Sequence, residues 1–60
     1  MKYGVMFKGL LMGSKEEVRT SIGTDDLTIA KAIFRHYRKK ALYIMESGVV
    51  EIDTRKVILF

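Results

Sequence analysis

The side chain with the widest chemical repertoire is His36, the only histidine in the chain. An imidazole titrates near neutral pH and serves as a general base or a metal ligand, but either task needs neighbours. His36 stands in the run Arg35-His36-Tyr37-Arg38-Lys39-Lys40, among bases and with no acid nearby in sequence to orient its ring. That pattern points to a solvent-facing helical residue. With no cysteine and a single histidine, thiolate and His-rich zinc sites are excluded within one chain. Asp25-Asp26 and Glu16-Glu17 are adjacent carboxylates. Asp25-Asp26 falls where a helix is about to begin, and capping together with dipole pairing accounts for it. Glu16-Glu17 is a charged strand or turn balanced by Lys15 and Arg19. The stretch from Gly9 to Lys15 ends in Gly-Ser-Lys, the wrong order and spacing for a phosphate loop, so a turn is sufficient. We therefore expect no catalytic residue, no metal site, no cofactor and no enzymatic activity.

The remaining chemistry is charge. Eleven Lys and Arg against seven Asp and Glu give a net charge of +4, and five of those bases, Lys31, Arg35, Arg38, Lys39 and Lys40, fall within 25–41 beside only two acids. On a helix, Lys31, Arg35, Arg38 and Lys39 spread over the side opposite Ile33, Phe34 and Tyr37. A positive helix face neutralises phosphates and tracks a nucleic-acid backbone. Bases near a helix C-terminus also complement its dipole, and no helix-turn-helix, zinc-finger or RNA-stacking motif accompanies them. Nucleic acid is thus the alternative partner, with Lys31, Arg35, Arg38, Lys39 and Lys40 as its contact residues.

The elements that must position these groups are legible from periodicity. Residues 2–11 alternate, with Tyr3, Val5, Phe7 and Leu11 on one side and Lys2, Met6, Lys8 and Leu10 on the other, which is a strand pattern. Gly4 and Gly9 weaken it or mark a bulge. Residues 12–15 read as a turn. Val18, Thr20 and Ile22 then alternate with polar residues and suit a hairpin partner; the competing signal is Ser14 followed by Glu17, a capping-box spacing that would open a short helix. Few strong helix formers follow, so the strand is preferred.

Over about 25–40, Leu27, Ala30, Ile33, Phe34, Tyr37 and Ala41 recur at helical steps, with Thr24 or Asp25 as cap. Three strands are expected after it, over 41–46, 49–53 and 56–60, joined at Ser47-Gly48 and Thr54-Arg55. This register puts Tyr43, Met45, Val50, Ile52, Val57 and Leu59 on one face, where the helix would dock. The expected architecture is a single α+β domain over 1–60, ordered β-β-α-β-β-β, with one helix on an antiparallel sheet.

One helix covers one face of a sheet. The other face would hold Met6, Leu10, Leu42, Ile44, Val49, Ile58 and Phe60 without cover, and we take these as the interface residues. Sixty residues bury only about 60% of the unfolded chain's surface, so such a core is marginal alone. A homodimer, or a lasting protein partner, is the expected remedy. The Met1–Met12 stretch is interrupted by Lys2, Lys8 and two glycines and lacks the form of a signal peptide, and no segment reaches the length of a membrane span. The expectation is a small cytoplasmic, non-catalytic regulatory protein that acts through protein–protein contacts and not at a membrane.

Overall fold

The structure is a computed structural model and describes residues 1–59. It has one helix packed on a four-stranded antiparallel sheet, an α+β arrangement. Strand β1 (Tyr3–Leu11) and strand β2 (Val18–Thr24) form the expected hairpin. Helix α1 (Leu27–Lys40) follows, then strand β3 (Ala41–Glu51) and strand β4 (Lys56–Leu59). In space the strands run β2-β1-β3-β4, so β1 is central to the N-terminal half of the sheet.

The alternation in β1 is realised directly. Val5 and Phe7 are buried, while Met6 between them is exposed. In β2, Val18, Thr20, Ile22 and Thr24 are half-buried and alternate with exposed Arg19, Ser21 and Gly23. The turn between the two strands uses Gly13 at φ +85, a left-handed conformation that a side chain disfavours. Its close is a bond from the Ser14 N–H to the Leu11 carbonyl at 3.1 Å.

Helix α1 begins later than expected, and Asp26 is its cap. The Asp26 carboxylate accepts from the Thr28 and Ile29 N–H groups at 2.8 and 3.4 Å. Thr24 Oγ1 in turn accepts from the Asp26 N–H. Asp25 faces the other way and accepts from the Lys2 N–H at 2.9 Å, tying the helix entry to the start of β1. At the far end the Met12 N–H donates to the Lys40 carbonyl at 2.9 Å, so the hairpin turn satisfies one of the carbonyls that a helix end leaves unpaired. Ala30 and Phe34 of the apolar stripe are buried against Val5 and Val49, with Leu27 and Ile33 partly buried around them. Tyr37 stacks on Phe7 with ring centroids 5.3 Å apart.

The C-terminal half differs from expectation. No turn occurs at Ser47-Gly48; β3 runs straight through, with Ser47 opposite Phe7 and Gly48 opposite Met6. Among the described residues there are therefore four strands, ordered β-β-α-β-β. A Ser-Gly pair is a turn signal only where the flanking segments have each other as best partner. Here both flanks lie along the same long template, β1, and Val49 pairs with Val5 inside the core. Two irregularities in the β1–β3 register, between Lys8 and Gly9 and between Leu10 and Leu11, let the long strand follow the twist.

This changes which residues share a face. Val57 lies opposite Val50 rather than Ile52, and Ile52 falls in the turn over 52–55. The helix docks on Val5, Phe7 and Val49; of the expected patch, Tyr43, Met45, Ile52 and Val57 are exposed, Val50 is half-buried on the open face, and only Leu59 packs against the core. Val49, expected on the uncovered face, is fully buried beneath the helix, and Ile58 packs against the same core. Phe60 lies outside the described residues.

Candidate interaction surfaces

Three surfaces are left by this packing. The first is the helix-free face of the sheet. Antiparallel register puts directly opposite residues on one side, so rows cross the strands: Gly23, Gly4, Val50 and Val57; Ser21, Met6 and Gly48; Arg19, Lys8 and Glu46. One end of this face is apolar and the other is charged. Between them lies a shallow depression of about 240 Å³, lined among others by Met6, Lys8, Arg19, Ser21 and Glu46. No ion pair joins side chains across the charged row, among the described residues.

Beyond that row, Glu17 and Tyr43 flank Leu10, one just before β2 and the other in β3. The Tyr43 hydroxyl donates to Glu17 Oε2 at 2.9 Å, closing over the middle strand. The bond to a carboxylate favours the protonated phenol, so the Tyr43 pKa is raised above its ordinary 10.0, with desolvation and the Glu17 charge adding in the same direction. No local pattern signals this pair, since it depends on the register between strands far apart in the chain.

The second surface is the first half of β3. β4 covers only Val49, Val50 and Glu51, so over 41–47 the outer edge of β3 has no partner strand among the described residues. Leu42, Tyr43, Ile44 and Met45 are exposed there. Of the expected interface residues, Leu42 and Ile44 lie on this edge segment and Met6 and half-buried Leu10 on the open face. Val49 and Ile58 belong to the core side. The expected interface is thus not one patch, and the edge was missed because 41–46 was paired with 49–53.

The third surface is the basic helix. Arg35, Arg38, Lys39 and Lys40 are exposed and Lys31 is half-buried. None has a carboxylate within ion-pair distance among the described residues. The Arg38 guanidinium lies 5.4 Å from the centroid of the Phe34 ring, which holds it along the helix. His36 is exposed and meets Tyr37 edge-on at 5.9 Å. Asp25 and Asp26 are occupied with backbone N–H groups. No three His, Asp or Glu residues converge as a metal site, among the described residues, and no helix there is long and apolar enough to cross a membrane. Comparison with protein-family models, curated proteins and solved structures finds no match to this chain.

Proposed function

We propose that this chain is a small, non-catalytic regulatory protein of the cytoplasm that works by protein–protein contact and as a homodimer. One observation carries the reading. Among the described residues five side chains make up the buried apolar core, whereas ten large apolar side chains are exposed. Scattered apolar surface is ordinary, but seven of the ten, Met6, Leu42, Tyr43, Ile44, Met45, Ile52 and Val57, belong to the sheet or the turn joining its last strands. A surface of that kind favours association. The test is molar mass in solution at micromolar concentration. The expected result is twice the chain mass of 6.9 kDa; a chain that stays monomeric throughout removes the homodimer from the reading.

A second reading is favoured by the five helix bases that lack an acidic partner. It makes the chain a nucleic-acid-binding accessory protein using Lys31, Arg35, Arg38, Lys39 and Lys40. Phosphate neutralisation releases counterions, so binding to a labelled oligonucleotide would fall steeply from low to physiological salt. Reversing charge at Arg35, Arg38 and Lys39 together would abolish it. Binding that ignores both salt and that reversal argues against the helix as the contact.

A further inference from the structure

The shallow depression on the helix-free face holds two bases side by side. Lys8 of β1 and Arg19 of β2 are directly opposite in the ladder, and both line the depression. Like charges in that relation weaken a strand pair, and neither base has a carboxylate within ion-pair distance among the described residues. The hairpin itself gains nothing from the juxtaposition. Ser21, two residues along β2 from Arg19, lines the same depression, as does Met6 opposite it.

Neighbouring strands lie about 4.8 Å apart and alternate residues about 6.8 Å apart, so the backbone positions of Lys8, Arg19 and Ser21 form a triangle about 5–8 Å on a side. From those corners an ammonium, a guanidinium and a hydroxyl can all donate to one anion placed between them. Donors arriving from two strands, and not in one plane, suit the tetrahedral oxygens of a phosphate better than a planar carboxylate. The volume of about 240 Å³ is below the roughly 300–1,000 Å³ of sites for drug-sized ligands, so the ligand is small. Glu46 stands on the other side of Lys8 in the same row. Its charge opposes a second anionic group there, which favours a single phosphate over a polyanion laid across the strands. In the opposite direction the face turns apolar, beginning at Met6, which is 41% exposed.

We propose that this depression binds a small organic phosphate monoester, with Lys8, Arg19 and Ser21 donating to the phosphate and Met6 against the apolar body. Helix α1 packs on the other face of the sheet, so its bases take no part. The site stands apart from both readings above and depends on neither.

The experiment titrates the full chain with phenyl phosphate, and separately with inorganic phosphate, at constant ionic strength, following backbone amide shifts by NMR. Saturable shifts are expected at Met6, Lys8, Arg19 and Ser21, with phenyl phosphate bound several-fold more tightly than inorganic phosphate. Lys8→Gln and Arg19→Gln are each expected to weaken binding about tenfold, the loss of one charged hydrogen bond. Both relieve the like-charge pair, so both are expected to fold, as circular dichroism would report; Ser21→Ala is an independent break, with a smaller loss. Arg35→Gln combined with Arg38→Gln on the helix is expected to leave binding unchanged. Shifts that gather on the helix bases, affinity indifferent to Lys8→Gln and Arg19→Gln, or no saturation at millimolar phenyl phosphate overturns the site. Equal affinity for the two probes overturns the part given to Met6.

Discussion

The two halves of β3 occupy opposite environments although no loop separates them. From Ser47 to Glu51 the strand has β1 on one side and, from Val49 onward, β4 on the other, with Val49 fully buried under the helix. From Ala41 to Glu46 it has β1 on one side only, departs from regular register twice, and exposes four consecutive large apolar residues. Composition would rank them the other way, since five of the six residues of 41–46 are apolar and only two of the five of 47–51. What separates them is the reach of β4, four residues long, and the place where the helix crosses. A strand's hydrophobicity therefore says that it wants cover, while topology decides which part receives it.

That contrast predicts unequal costs for similar truncations. Val49→Ala removes two methyl groups from a fully buried position and is expected to cost about 2–3 kcal/mol in denaturant unfolding. Leu42→Ala removes more carbon from the exposed half and is expected to stay within about 0.5 kcal/mol of wild type when measured on dissociated chains. Equal losses would mean that the first half of β3 is also enclosed.

The exposed half packs against β1 at Gly9, which lies opposite Ile44. A Cβ there would run into the Tyr43 carbonyl oxygen and come within 3.1 Å of Ile44 Cα and of the Phe7 ring. Backbone cannot give way as a side chain can, so Gly9→Ala is expected to cost about 2 kcal/mol and to loosen the exposed half first, as faster amide exchange there than at Val49. An effect confined to the buried half would reverse that assignment.

The turn that delivers β4 to the buried half contains a smaller strain. Arg55 has φ 58, left-handed backbone in a residue with a side chain. Arg55→Gly removes that penalty and is expected to raise stability by about 1 kcal/mol, offset in part by the freer unfolded chain. A loss of stability would show that the Arg55 side chain contributes more than its backbone costs.

Sequence reading recovers what local pattern determines. The alternation of Tyr3, Val5 and Phe7, the Val18/Thr20/Ile22 hairpin partner and the Ala30/Phe34 stripe each follow from a period of two or of 3.6. It misplaces what long-range pairing determines. Ser47-Gly48 looks like a loop because the sequence shows only its neighbours, and the stronger competitor is β1, some forty residues earlier. One false turn then moved Val49 from core to surface and hid the open edge. The cap was misjudged by a single residue for a smaller reason: Thr24, Asp25 and Asp26 are all competent caps, and Asp25 is diverted to the Lys2 N–H.

The mildest expected effect concerns the bond that bridges the open face at the start of β3. Tyr43 donates to Glu17, and its pKa in the folded chain is raised above 10.0, chiefly because ionisation would cost that hydrogen bond and then set two negative charges together. A group whose folded pKa is raised stabilises the fold while protonated. Its contribution is therefore fully present below pH 10.0 and is lost as pH climbs through the higher folded value. Melting temperature is expected to show a small step down in that window, absent from Tyr43→Phe and from Glu17→Gln measured in parallel. Because Tyr43 belongs to the exposed half, the step should be accompanied by loss of protection at 41–46 and not at Val49. A step that survives in both variants belongs to other groups, and the bridge would then contribute nothing to holding the exposed half against β1.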